Sequence, residues 1–186
     1  MAVLARDVLW ELAASQHGYV TAQQAGDLGV TRRALNQLAA RGTLEHAAFG
    51  VYRFPRYPFS RATPYMLAVL WTRAPEAVLS HETALDVREV CDVNPSVIDV
   101  TVGKGRRLRR QGSEQYVIHF EDLEPAQLAW WEEVPVVTLA TAIAQCIESG
   151  TPTYLLSQAI TNGRSQGYLT AQARDQLTEQ LTAHRG

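Results

Sequence analysis

The sequence predicts an α+β protein in two parts: a small N-terminal domain of helices and a hairpin over residues 1–58, and a mixed α/β domain over residues 62–186. Three observations carry that expectation. Residues 19–55 hold a short capped segment, a helix with one apolar and one polar face, and an alternating stretch around a glycine. Pro55 and Pro58 then break regular structure. Beyond them, runs of β-branched residues alternate with helical periodicity.

Residues 6–16 read as an amphipathic helix through Leu4, Val8 and Leu12, widened by Leu9 and Ala13 and ended by Gly18. Thr21-Ala22-Gln23-Gln24 has the form of a capping box, Thr21 bonding forward and Gln24 reaching back, so a second short helix runs to about Leu28. Gly29-Val30 makes a tight turn. Thr31 then caps a third helix in which Leu35, Leu38 and Ala39 face inward, leaving Arg32, Arg33, Asn36, Gln37 and Arg41 outside, with Gly42 as its stop. Residues 43–54 alternate apolar and polar around Phe49-Gly50, which suits a hairpin. Helix, helix, turn, helix and hairpin in this order make a winged helix-turn-helix.

That order points to double-stranded DNA. Arginines near the start of the exposed helix reach phosphate or guanine, and Asn and Gln one turn on reach adenine or phosphate. The candidate contacts are Thr21, Gln23, Thr31, Arg32, Arg33, Asn36, Gln37 and Arg41, joined by Tyr52, Arg53 and Arg56 on and after the hairpin. Three helices that merely pack, with solvated arginines, are the competing description; cap, turn, polar helix and wing occurring together favour DNA.

A composition of 46% hydrophobic and 19% charged residues is that of a soluble globular chain. No apolar run is long enough to cross a bilayer and the N-terminus has no signal-peptide core, so a cytoplasmic location without membrane association is expected. Cys91 and Cys146 stand far apart among apolar neighbours, and the five histidines lack metal-ligand spacing. Neither disulfide, metal nor cofactor is expected. A net charge of −2 conceals asymmetry: residues 1–61 hold seven Arg against four acidic groups, while residues 114–133 hold six acidic groups and no Arg or Lys. Sixteen of the 17 basic residues are Arg, suited to bidentate phosphate and guanine contacts, although a GC-rich genome produces the same bias.

In the second part, residues 64–73 and 80–90 read as helices, Pro64 placed for a first turn and Ser80 as a cap, with Thr83 or Ala84 packing inward. Residues 97–102 and 116–120 read as strands, and residues 139–148, 154–162 and a segment capped by Thr170 as helices. Between the two strands lies a basic stretch with Lys104, Arg106, Arg107, Arg109 and Arg110. It is a second nucleic-acid contact, a docking loop for an acidic or RNA-associated partner, or a solvated hairpin tip. Trp130-Trp131 suits a core or domain-interface anchor, with ligand stacking as the alternative.

No catalytic constellation stands out, and a non-enzymatic protein is expected. Gly112-Ser113 with Asp122 and Glu124 imitates a nucleotidyltransferase metal site, but Pro125 follows where strand should continue. Asp99 and Lys104 do not supply the acid and lysine of a nuclease strand on one face. There is no G-x-S-x-G elbow, and Gly103-Lys104-Gly105 lacks the length and the Ser or Thr of a P-loop.

Most of the chain resembles the AbiEi-type antitoxins. The resemblance rests on Gly18-Tyr19-Val20-Thr21, on Arg41-Gly42 closing the third helix, on Gly50-Val51-Tyr52-Arg53 in the wing, and on Leu79-Ser80-His81-Glu82-Thr83-Ala84-Leu85 after the linker. The strand at residues 98–102 with its basic loop and the segment 134–142 fall in the same order. The helix from Leu139 departs from the family's pattern, with Gln145 or Cys146 where an Asp is usual. The resemblance implies an antitoxin of an abortive-infection pair that binds inverted repeats in its own promoter, as a dimer on DNA, and neutralises a nucleotidyltransferase-like toxin through its C-terminal domain. The basic loop and the acidic stretch 121–133 then stand as opposite poles of an interface. The alternatives are a stand-alone winged-helix regulator whose C-terminal domain senses a small molecule, and a nucleic-acid-processing enzyme.

Overall fold

Two threonines punctuate the N-terminal part of the protein. The structure, a computed structural model, describes residues 5–107 and 114–184; Leu4 of the first predicted helix and Arg109 and Arg110 of the basic stretch lie outside the described residues. Helix α1 (Ala5–Ala14) buries Leu9 and Ala13, and Gly18, at φ +87°, leads into β1 (Tyr19–Thr21). Thr21 Oγ1 accepts from the Gln24 amide at 3.1 Å while Gln24 Oε1 accepts from the Thr21 amide at 2.9 Å, completing the reciprocal cap of α2 (Ala22–Asp27). Thr31 Oγ1 accepts from the Ala34 amide at 3.2 Å and starts α3 (Arg32–Ala40).

The predicted hairpin is β2 (Glu45–Ala48) and β3 (Val51–Arg53), with a register shift between His46 and Ala48. Residues 19–21, legible only as a lead into α2, pair antiparallel with β3 and make the sheet three-stranded, in the order β1-β3-β2. Leu9, Val20, Leu35, Leu44, Tyr52 and Phe54 form the core beneath it. Helix α4 (Thr63–Thr72), with Pro64 in its first turn, buries Met66, Ala68 and Val69 and packs on β1 and β3. This unit therefore continues through α4 and comprises Met1–Pro75 with Glu132–Val134, so the chain divides after Pro75 and not at the proline-rich residues 55–62.

The second unit, Glu76–Trp131 with Pro135–Gly186, is the mixed α/β part. Its elements are β4 (Val78–Leu79), α5 (His81–Asp86), β5 (Ile98–Val102), β6 (Tyr116–Phe120), β7 (Leu128–Trp131), β8 (Val134–Val137), α6 (Leu139–Ser149), α7 (Thr153–Ser165) and α8 (Ala171–Ala183). The sheet order is β6-β5-β4-β8-β7; β4 runs antiparallel to β5 and parallel to β8. Helix α5 packs on β5 and on α6, and α6, α7 and α8 pack together. Gly163 permits the close approach within this helical layer, because a Cβ there would lie 2.3 Å from Leu139 Cδ2.

Three expectations are corrected here. Strands β5 and β6 pair in parallel, Ile98 opposite Tyr116, so residues 103–115 join opposite ends of neighbouring strands and are not a hairpin tip. Ser80 precedes α5 but makes no side-chain cap, since its Oγ lies 3.0 Å from His81 Nδ1. Trp130 is 74% exposed on the last strand of the sheet and is no core anchor, whereas Trp131, on the opposite face, is half-buried. Among the described residues no helix is long and apolar enough to cross a membrane.

Candidate nucleic-acid interface

The exposed face of α3 follows from its two ends. The Val30 amide donates to Ala25 O at 2.8 Å across the turn at Gly29, fixing α2 against α3, and buried Leu35 sets the rotation of the helix. Arg32, Arg33, Asn36, Gln37 and Arg41 are then all exposed, and Thr31 and Gln23 are exposed beside them. Arg32, Arg33 and Arg41 have no carboxylate partner among the described residues. Such a face offers unneutralised guanidiniums at the helix start and two amides one turn further on, the donor set for phosphate oxygens and base edges.

The wing contributes differently from expectation. The Ala22 amide donates to Gly50 O at 2.9 Å, which ties the hairpin turn to the start of α2, and Phe49 there is 70% exposed. Tyr52 and Arg53, by contrast, are buried. The Arg53 guanidinium lies 3.8 Å from the Phe59 ring centroid, donates through Nη2 to Tyr57 O, and approaches Glu45 Oε1 at 3.4 Å. It clamps the segment after the wing onto β3 and has no access to a phosphate. Thr21 is buried too, its hydroxyl spent on the α2 cap. Arg56 is exposed past the end of β3.

In the second unit, Lys104 and Arg107 are exposed, and the Lys104 amide donates to Asp122 Oδ1 at 3.0 Å. Arg106 forms a bidentate pair with Glu76, both bonds 2.6 Å, and the guanidinium holds the Glu76 carboxyl below the usual carboxylate range. Part of the basic charge is thus already matched within the unit.

Sequence reading missed a polar cluster under α5. The rings of His81 and His119 stack at 3.5 Å; His119 Nε2 meets Asp99 Oδ1 at 2.9 Å, and the Asp99 amide donates to Thr83 Oγ1 at 2.8 Å. The parallel pairing of β5 and β6 brings Asp99 and His119 together, a relation no local pattern announces. Stacked imidazoles direct their lone pairs in parallel planes, so the two rings cannot share one metal ion in this arrangement. Ser80, beside His81, is fully buried and closed to substrate. Burial and the neighbouring His119 push the His81 pKa down to about 4, from 6.5. The unfolded chain takes up this proton first, so the stabilisation is complete above about pH 6.5 and is lost as pH falls toward about 4. Chemical denaturation at pH 7 and pH 4.5 should show a loss of about 2 kcal/mol attributable to this ring, after discounting its partial exposure. His81→Asn should flatten that part of the profile; an unchanged slope in the variant would refute the assignment.

Two other buried groups tie elements together. Arg88 donates to Ala84 O at 2.8 Å and to Val137 O, linking α5 to the end of β8, and burial lowers its pKa to about 10. Burial pushes the Cys146 thiol up to about 12, which keeps it protonated and unreactive.

Residues 7–55, which run from α1 through the wing, match the model of a family described as "Transcriptional regulator, AbiEi antitoxin". No curated protein matches the chain. Three solved chains match, among them the RV2827C protein from Mycobacterium tuberculosis, with 18% sequence identity, 95% of this chain and 80% of that chain covered, and a TM-score of 0.43.

Proposed function

We propose that this chain is an antitoxin and autorepressor: the N-terminal unit binds inverted repeats in its own promoter, and the second unit neutralises a nucleotidyltransferase-like toxin encoded beside it. The observation that carries the first half is the exposed, unpaired Arg32–Arg33 start of α3, with Asn36 and Gln37 one turn on, inside the stretch that matches the regulator family. Gln23 and Thr31 flank that face, Arg41 and Arg56 supply charge further along, and the wing tip adds Phe49. Phosphate neutralisation dominates the affinity, which therefore falls steeply with salt, and two copies on DNA cover the two half-sites.

The antitoxin half draws on the family description and on charge. Exposed Lys104 and Arg107 meet a partner surface of opposite sign, Arg109 and Arg110 add charge to the same stretch of sequence, and the acidic residues 121–133 serve the other pole. Co-expression with the neighbouring gene tests both halves. The full chain should restore growth and silence a promoter reporter, and an Arg32→Ala, Arg33→Ala variant should still restore growth while leaving the reporter active. A harmless neighbour, or toxicity untouched by the full chain, would remove the antitoxin reading.

A further inference from the structure

The foot of the wing holds a second feature, at the opposite end of α3 from Arg32 and Arg33. Residues 42–43 before β2 and residues 54–56 after β3 come together at the end of the hairpin opposite the Phe49–Gly50 turn, and the exposed side of α1 closes a cleft against them. Its volume is about 280 Å³. Three separate segments each place one guanidinium on it: Arg6 from the first turn of α1, Arg41 from the C-cap of α3, and Arg56 from the turn after the wing. No acidic residue lines it, and none of the three has a carboxylate partner among the described residues. Three like charges around one cleft repel, and an anion in their midst relieves that repulsion.

The fourth wall is aromatic. Trp10, one helical turn after Arg6, is 40% exposed and held edge-on against Phe54, with ring centroids 5.0 Å apart at 82°. Its second neighbour is the Tyr57 ring, with centroids 6.0 Å apart at 58°. Guanidiniums grip phosphate bidentately, and a fixed indole offers a stacking surface to a base. The volume falls just below the usual range for small-molecule pockets, so nothing larger than a single nucleotide is expected to seat in it.

We infer that the Arg6–Arg41–Arg56 cleft, with Trp10 as its stacking wall, binds the phosphate and base of a nucleotide. Arg41 lies nine residues beyond Arg32, or about 13 Å along the helix, so a duplex seated on the start of α3 does not by itself fill this cleft. The phosphate belongs to a free nucleotide or to a nucleic-acid strand reaching past the recognition helix, and the site stands on its own geometry whether or not the promoter reading holds.

Calorimetric titration of the full-length protein with ADP and with inorganic phosphate, beside anisotropy with a promoter duplex, separates the two sources. Arg6→Gln and Trp10→Phe are the variants, because neither residue belongs to the proposed promoter-reading set; Arg6→Lys, which keeps the charge and loses the bidentate grip, serves if Arg6→Gln lowers the unfolding midpoint. A free-nucleotide site predicts ADP binding weakened about tenfold by Arg6→Gln and less by Trp10→Phe, with phosphate competing. Absence of heat with ADP up to about 1 mM, together with a tenfold loss of duplex affinity in Arg6→Gln, assigns the phosphate to nucleic acid. If ADP, phosphate and duplex binding are all indifferent to both variants, the cleft is not an anion site and the inference is overturned.

Discussion

Arg32→Ala combined with Arg33→Ala should lower affinity for the protein's own promoter about 100-fold while leaving the unfolding midpoint unchanged. Both side chains are exposed and lack carboxylate partners among the described residues, so their loss removes no packing and strands no buried charge. Each contact is expected to supply about 1–3 kcal/mol, and two at about 1.4 kcal/mol each account for the factor. Part of the effect is counterion release. The slope of log K against log salt should therefore flatten by about two, to the extent that both arginines sit on phosphate, and by less if one of them reads guanine. Unrelated duplexes distinguish those roles, because a lost phosphate contact weakens every sequence alike and a lost base contact weakens the promoter selectively. Arg53→Met provides the contrast: the buried clamp on Phe59 and Tyr57 fails, stability falls by about 2–3 kcal/mol, and the folded fraction binds DNA as before. Full promoter affinity in the Arg32 and Arg33 double variant, or selective loss in Arg53→Met, would reverse the two assignments.

The contrast between these arginines marks where local sequence logic stops. Thr21, Gln24 and Thr31 were legible because a cap is satisfied within three residues, and the structure forms those bonds as expected. Alternation along the wing was a poorer guide. It sorts side chains only when one face of the strand is open, and β3 is the middle strand of its sheet, with α4 packed on it, so Val51, Tyr52 and Arg53 are all buried. The same limit hides the cluster in the second unit. Residues 98–102 and 116–120 are plainly strands, but their relative direction is set by tertiary packing, and only the parallel pairing brings His119 to Asp99. Arg6 and Trp10 are illegible in the sequence for a related reason: on α1 alone they read as the solvated side of an amphipathic helix, and their partners come from residues 41 and 56.

Gly18→Ala should cost about 3–4 kcal/mol and lower the unfolding midpoint of the N-terminal unit by roughly 15–25 °C. Two penalties combine at this position. Its φ of +87° is one that a residue with a Cβ adopts only under strain, and the added Cβ would lie 2.6 Å from Tyr57 Cβ and 2.8 Å from Tyr57 Cγ. Those atoms are the root of the side chain and cannot swing aside as a flexible tip would. Moreover, Tyr57 is fixed at its far end, where its hydroxyl donates to Ala14 O at 2.9 Å, and the Phe54 amide donates to Gly18 O at 2.9 Å. Relief therefore requires moving the backbone that seats α1 against the sheet. Gly29→Ala isolates the first penalty, because its φ of +76° is similar and nothing lies within 4 Å of a new Cβ, so it should cost only about 1 kcal/mol. Thermal unfolding and amide exchange of the two variants measure the difference, about 2–3 kcal/mol, that belongs to Tyr57 alone. Equal losses would mean that the contact yields freely. The larger loss at Gly18 would instead assign the extra cost to the close packing of the Gly18 backbone on the root of the Tyr57 side chain, the contact beside which α1 is seated against the sheet.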